Sequence, residues 1–289
     1  MSRHSPCIGI CKLDDATGFC LGCGRTGAEV GDWMAMSESQ RDAVWEKLPK
    51  RLAELSVRVR LLPWIREELV DWVRDSIAAR QGTWVVGAPG ATGEFPSADS
   101  APIDLHAEDG VVTARRPDAA FRLAVNEKVR AFAFSKGGAI VLGLPRGRAV
   151  LSSGSSLQSV GPDTGAIDET HRGDALFDLG IGRRYTRFCV RTSDASLVSS
   201  LSDHDRRHWS DFMPIMLDRF IAASPHRVVE SAAARIEIYG TIPKPGQSSP
   251  HGAHSHFLPE FLRSGEEIAA SLAPPDYVAP IAIFYPNKM

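Results

Sequence analysis

Sulfur is scarce along most of this chain: beyond residue 23 a single cysteine, Cys189, remains in 289 residues. Disulfides therefore do not frame the bulk of the fold. A surplus of one charge is also lacking, since 33 basic and 35 acidic side chains leave a formal charge of −2. No basic field argues for nucleic acid or an anionic membrane surface, while a protein partner stays open. No run approaches the roughly 20 apolar residues of a membrane span. The opening Met1-Ser-Arg-His-Ser-Pro6 has no apolar stretch that could serve as a signal peptide, and the expectation is a cytoplasmic protein. A phosphate loop is missing as well. Gly87-Ala-Pro-Gly-Ala-Thr-Gly93 follows the strand-like Thr83-Trp-Val-Val86, but Glu94 and Phe95 stand where the Walker pattern needs Lys and Ser or Thr. Dinucleotide spacing fails too, and Pro89 would interrupt a helix start. The stretch reads as a surface loop that continues through Glu94 to Pro102.

What is present is a cluster. Cys7-x3-Cys11 and Cys20-Leu-Gly-Cys23 place four soft donors in 17 residues, enough to close a tetrahedral shell around one metal. Gly22 and Gly24 permit positive φ and bring backbone N–H groups toward a thiolate. Zinc and a mononuclear or clustered iron site suit such turns equally, and spacing alone does not choose between them. Zinc is placed slightly ahead of an iron–sulfur cluster, because nothing in the sequence marks an electron-transfer partner or a second redox centre. Cys189 lies in a strand-like run and reads as a buried, inert thiol.

After the cysteines, Ser37 and Gln40 have the spacing of a capping box. Val44, Leu48, Leu52 and Leu55 then recur at helical spacing, with Trp45 widening the stripe. Pro49 should kink this helix or start a second one. The stripe is expected to pack on the metal knuckle, since about 50 residues bury too little area alone. Residues 6 to 55, from Pro-Cys-Ile-Gly-Ile-Cys through Gly-Phe-Cys-Leu-Gly-Cys-Gly-Arg-Thr to the Leu48-Pro49 helix, resemble the bacterial domain of unknown function 1289. That family is catalogued as a predicted iron–sulfur protein. The resemblance implies Cys7, Cys11, Cys20 and Cys23 as ligands.

With 43% hydrophobic and 24% charged residues, the chain has room for a large domain beside a small one. The expected division is a four-cysteine module over 1–55 and a larger domain over 56–289. Trp64 to Ala79 has helical spacing, and a second helix is expected from about Asp205 to Ala223, with a shorter one over Ser193–Leu201. Short β-like runs recur at Gly110–Ala114, Val129–Phe134, Ala139–Leu144, Ala149–Leu151, Ala175–Leu179, Arg187–Val190, Arg235–Tyr239 and Ile281–Phe284. Gly137-Gly138 suits a hairpin. The fold class is therefore α+β: a small metal-knuckle module with helices, then a mostly antiparallel sheet covered by helices.

Two polar motifs invite functional readings. Ser202-Asp203-His204-Asp205 with His208 offers acids and two imidazoles, yet reads as a capped, solvated helix start rather than an ion site. His251, His254 and His256 fall within six residues of a Pro- and Gly-rich loop. On an extended segment His254 and His256 point the same way, and His251 or Glu260 could complete a shell with a position open for water. A polar loop with ordinary hydrogen bonds is the plainer alternative. Roughly residues 65 to 288 resemble another bacterial family, domain of unknown function 6925, through Ala175-Leu-Phe-Asp-Leu-Gly180, Phe188-Cys-Val-Arg-Thr192, Ser224-Pro-His-Arg-Val228, Arg235-Ile-Glu-Ile-Tyr239 and His254-Ser-His-Phe-Leu-Pro259. Its Gly-Pro-His-Thr-His motif is matched at the two histidines, with Gly252-Ala253 replacing Gly-Pro and Ser255 replacing Thr. No activity follows from this resemblance. The expected function is a metal-binding protein whose cysteine site is a structural or interaction unit. The alternatives are a hydrolase-like metal enzyme using His251, His254 and His256, with Glu260 as ligand or base, or an iron–sulfur redox protein.

Overall fold

The structure is a computed structural model that describes residues 4–9, 12–134, 138–151, 154–244, 247, 252–258, 262 and 272–287. Cys11, His251 and Glu260 lie outside them. In chain order the strands are β1 Val59–Leu61, β2 Gly82–Ala88, β3 Ala91–Pro96, β4 Asp104–Glu108, β5 Val111–Arg115, β6 Ala119–Ala124, β7 Arg130–Phe134 and β8 Ile140–Pro145. They continue with β9 Gln158–Pro162, β10 Ala175–Asp178, β11 Thr186–Thr192, β12 His226–Ser231, β13 Ala234–Ile238, β14 His254–Phe257 and β15 Val278–Pro286. The helices are α1 Gly27–Gly31, α2 Glu38–Glu54, α3 Arg66–Ala78, α4 Ala195–Ser202 and α5 Trp209–Ala223. Among the described residues no helix is long and apolar enough to cross a membrane.

The strands form two sheets, ordered β1–β7–β8–β15–β2–β3–β14 and β4–β5–β6–β13–β12–β11–β10–β9, and the named pairings are antiparallel. The class is thus α+β or mostly β. The layer opposite each sheet is chiefly the other sheet, not the helical cover expected from the sequence. Trp84 and Phe95 of the first sheet meet Phe121 of the second at ring-centroid distances of 5.3 and 5.8 Å. All three are 0% exposed, and burial of each Phe stabilises the fold by about 1.5–3 kcal/mol. A Cβ on Gly93 would lie 3.0 Å from Val229 Cγ2 and 3.3 Å from Ile236 Cγ2. Glycine there lets the sheets close.

Helix α2 begins with the expected box: Ser37 Oγ accepts from Gln40 N–H at 3.3 Å, and Gln40 Oε1 accepts from Ser37 N–H at 2.8 Å. It runs as one helix through Pro49, without a second start. Its buried Val44, Trp45, Leu48 and Leu52 join Ile8 and Trp33, but also Leu61, Phe132, Phe134 and Val141 of the first sheet. The stripe serves both the N-terminal segment and the sheet. Cross-strand partners share a face, so the register row Leu61–Phe132–Val141–Ile283–Val85–Glu94–His254 crosses one face of this sheet. The N-terminal segment covers one end of the row, and Glu94 and His254 occupy the other.

Three expectations are corrected. The stretch read as a surface loop is the hairpin β2–β3, closed between Ala88 and Ala91 by Pro89-Gly90, with Gly90 at φ +86°. Pro fixes φ and Gly supplies the positive φ of a type II-like turn, while Ala91, Gly93 and Phe95 alternate inward. The run Ala149–Leu151 is not a strand but follows a 3-10 turn over Arg146–Arg148. Helix α5 starts at Trp209 rather than near Asp205, with His208 as its N-cap.

The outer face of the second sheet carries a buried ionic layer. Glu237, 0% exposed, accepts from Ile167 N–H at 2.8 Å, Arg235 Nε at 2.6 Å, Arg191 Nη1 at 2.8 Å and Tyr239 Oη–H at 3.0 Å. Asp163 pairs with Arg191 at 3.1 Å and with Arg235, which also reaches Glu230. Cys189 is fully buried on the same face, and burial pushes its thiol well above the usual range, in keeping with an inert role.

Candidate metal centre and adjoining cavity

Strand β14 pairs with β3 so that His254 faces Glu94, Ser255 faces Gly93 and His256 faces Thr92. The two-residue period turns both imidazoles and the carboxylate to one face at the sheet edge. His254 Nε2 and His256 Nε2 are 2.9 Å apart, with Glu94 oxygens 3.4 Å from the first and 3.1 Å from the second. Among the described residues these three form a group whose ligand atoms all lie within 4.8 Å of one another. Donors arranged tetrahedrally about 2.0–2.1 Å from a zinc ion stand about 3.3 Å apart, so the three residues are near enough to share such an ion once one Glu94 oxygen and the rings draw together.

The surroundings fix this arrangement. His254 Nδ1 lies 2.9 Å from the Gly252 carbonyl, which only accepts, so Nδ1 carries the proton and Nε2 keeps its lone pair toward the cluster. Asp118 Oδ2 accepts from Ala253 N–H at 3.0 Å, and Arg116 Nε holds Asp118 at 2.8 Å. Burial opposes its ionisation, but Arg116 and the Ala253 amide keep Asp118 below the usual carboxylate range. A proline at 253 would have no N–H to give, so this anchor depends on a residue such as Ala253. Gly252 adopts φ +106°, and a Cβ there would come 2.4 Å from Asp118 Oδ2. Tyr285 also neighbours Glu94: burial, and then the Glu94 charge, hold its phenol above the usual range.

Of the sequence candidates, His254 and His256 come together, while His251 and Glu260 lie outside the described residues. Glu94 is not among the sequence candidates, where it figures only as the residue that breaks the Walker pattern. Its signal was the alternation of Ala91, Gly93 and Phe95 after Pro-Gly. The motif around residues 202–208 serves helix ends: Asp203 caps α4, His204 Nδ1 meets Ser200 O at 2.8 Å, and His208 Nδ1 accepts from Ser210 N–H at 3.3 Å.

Cys7, Cys20 and Cys23 line one cavity of about 160 Å³ with Arg25; Cys11 lies outside the described residues. Burial works against ionisation of Cys20, yet the N–H groups of Gly22 and Cys23 hold its thiol below the usual range. Burial pushes the Cys23 thiol up, opposed by Arg25, whose Nε donates to its Sγ at 3.4 Å. Donors aimed at sulfur suit thiolate ligands. Leu52 of α2 packs under this turn, 3.1 Å from where a Cβ on Gly24 would stand.

Beyond the cluster, Ser255 and Phe257 help wall an apolar cavity of about 260 Å³ beneath α5, bordered also by His254, Phe188, Val190 and Met213. Trp209 at the start of α5 meets Phe257 edge-on at 6.1 Å.

Fold and site define a two-sheet antiparallel protein with a half-buried histidine–glutamate cluster at one sheet edge. Residues 68–288 match the model described as "Family of unknown function (DUF6925)", and the chain belongs to that family. Residues 5–52 match "Protein of unknown function (DUF1289)". No curated protein and no solved structure matches the chain.

Proposed function

We propose that this is a metal-binding protein with two sites of different character. The observation that carries the reading is the convergence of Glu94, His254 and His256, one donor atom from each lying within 4.8 Å of the others. Two imidazoles and one carboxylate are a borderline-soft set suited to zinc. Three protein donors at an accessible sheet edge leave a coordination position for water, unlike a closed structural site. A zinc ion there would supply an acidified water for hydrolysis. The chain's own part is to present Glu94 from a rigid hairpin, to orient His254 through Gly252 O, and to fix the strand through Asp118. This hydrolase-like reading rests on the donor set and names no substrate.

At the other site Cys7, Cys11, Cys20 and Cys23 hold one structural ion, zinc ahead of an iron–sulfur cluster, which fastens the N-terminal segment under α2. The division into a module over 1–55 and a domain over 56–289 belongs to this proposal. Metal content per chain after anaerobic purification tests it. Two zinc ions are expected, one lost on Cys20→Ser and the other on His254→Ala with His256→Ala. Iron with acid-labile sulfide would replace zinc by a cluster at the cysteines. A content unchanged by the histidine changes would overturn the second site.

A further inference from the structure

Arg227 and Arg25 are the buried arginines with no carboxylate pair among the described residues, and Arg25 gives its Nε to the Cys23 sulfur. Arg116, Arg191 and Arg235 are equally buried, and each faces carboxylates. Arg227 is 6% exposed, and no acidic side chain among the described residues pairs with it. Its Nη1 donates to the carbonyls of Pro225 at 3.0 Å and Gly240 at 2.6 Å, which fixes the guanidinium plane. Its Nε is buried without a hydrogen-bond partner. Burial lowers its pKa to about 10, the mark of a cation that has lost water and gained no anion.

That guanidinium borders the apolar cavity of about 260 Å³, and of the lining residues only Arg227 carries a permanent charge. Phe188, Met213, Leu217, Phe220 and Ile242 are among the apolar side chains of the remaining wall. A neutral apolar ligand would leave the arginine unpaired. A phosphate or dicarboxylate would bury excess negative charge against these side chains. We infer that this cavity binds a small apolar monocarboxylate, whose tail fills the space under α5 and whose carboxylate pairs with Arg227. With Nη1 tethered and Nε closed off from solvent, Nη2 is the guanidinium nitrogen left to meet the carboxylate in a charge-assisted hydrogen bond. At about 30 Å³ per water-sized group the volume suits roughly eight or nine non-hydrogen atoms, the size of hexanoate. The inference stands on Arg227 and the cavity, apart from the ion site, although His254 borders both.

Titration calorimetry of the full chain with hexanoate tests it, run with and without EDTA and beside hexanol. Saturable one-to-one binding with Kd below about 1 mM is expected. It should be unchanged by EDTA, at least tenfold weaker for hexanol and for Arg227→Gln, and abolished by Met213→Trp, which fills the cavity. Should Arg227→Gln not fold, the hexanoate–hexanol ratio and Met213→Trp decide. The inference is overturned if hexanoate does not bind saturably, if hexanol binds as well, or if Met213→Trp leaves binding intact. Binding that survives Arg227→Gln but vanishes with EDTA would place the carboxylate on the ion and overturn it too.

Discussion

Replacing Glu237 by glutamine probes whether the ionic layer on the second sheet is a framework or an ornament. Glu237 is 0% exposed, and its two oxygens take hydrogen bonds from Ile167 N–H, Arg235, Arg191 and Tyr239. Glutamine keeps the shape but turns an NH2 group toward donors and leaves two buried guanidinium groups with Asp163 as their main shared anion. Removing one partner of a buried pair costs about 3–5 kcal/mol, a large part of the roughly 5–15 kcal/mol of a typical domain. Urea unfolding at pH 7, followed by fluorescence and circular dichroism, should show a lower midpoint at unchanged slope. Glu169→Gln is the control: its pair with Arg172 at 3.3 Å is solvent-exposed, and about 1 kcal/mol or less is expected of it. The pH dependence gives a second readout. Burial opposes ionisation of Glu237, but Arg235 and Arg191 hold its carboxyl below the ordinary value of 4.5. Its contribution is present above that pH and is lost as pH falls through the depressed value, so the variant should have a shallower acid limb. A loss below about 1 kcal/mol at pH 7 would refute the reasoning.

Gly252→Ala forces a side chain into φ +106° and against Asp118, so β14 must shift; zinc affinity at the histidine site should fall at least tenfold by competitive titration while the circular dichroism spectrum is retained. His226 has its pKa lowered to about 4 from 6.5, by burial first and then by Arg191. The stability this reflects is complete above about pH 6.5 and is lost as pH falls to about 4. Discounted for its partial exposure, about 1–2 kcal/mol is at stake, and His226→Asn should flatten that part of the urea-midpoint profile.

Local signals were legible where chemistry repeats over a few residues. The Ser37–Gln40 box and the short β-like runs that become β5, β7, β8, β11 and β13 depend on neighbours alone, and the structure follows them. The hairpin carrying Glu94 was hidden because Gly87, Gly90 and Gly93 look like loop, and only packing against Val229 and Ile236 explains a glycine in mid-strand. His254 and His256 could be paired with each other by their spacing, but Glu94 reaches them through a strand pairing distant in sequence. Arg227 resembles every other arginine in the sequence. What sets it apart is a buried guanidinium with neither a carboxylate nor a thiol partner among its described neighbours, which no spacing encodes.

The central claim concerns Glu94, His254 and His256, and X-ray absorption at the zinc edge addresses it most directly. With the cysteine site removed by Cys20→Ser, the zinc-loaded protein should show only nitrogen and oxygen donors at about 2.0–2.2 Å, including an imidazole signature from two rings. Retention of no zinc by this variant, or a shell dominated by sulfur at about 2.3 Å, would contradict the account.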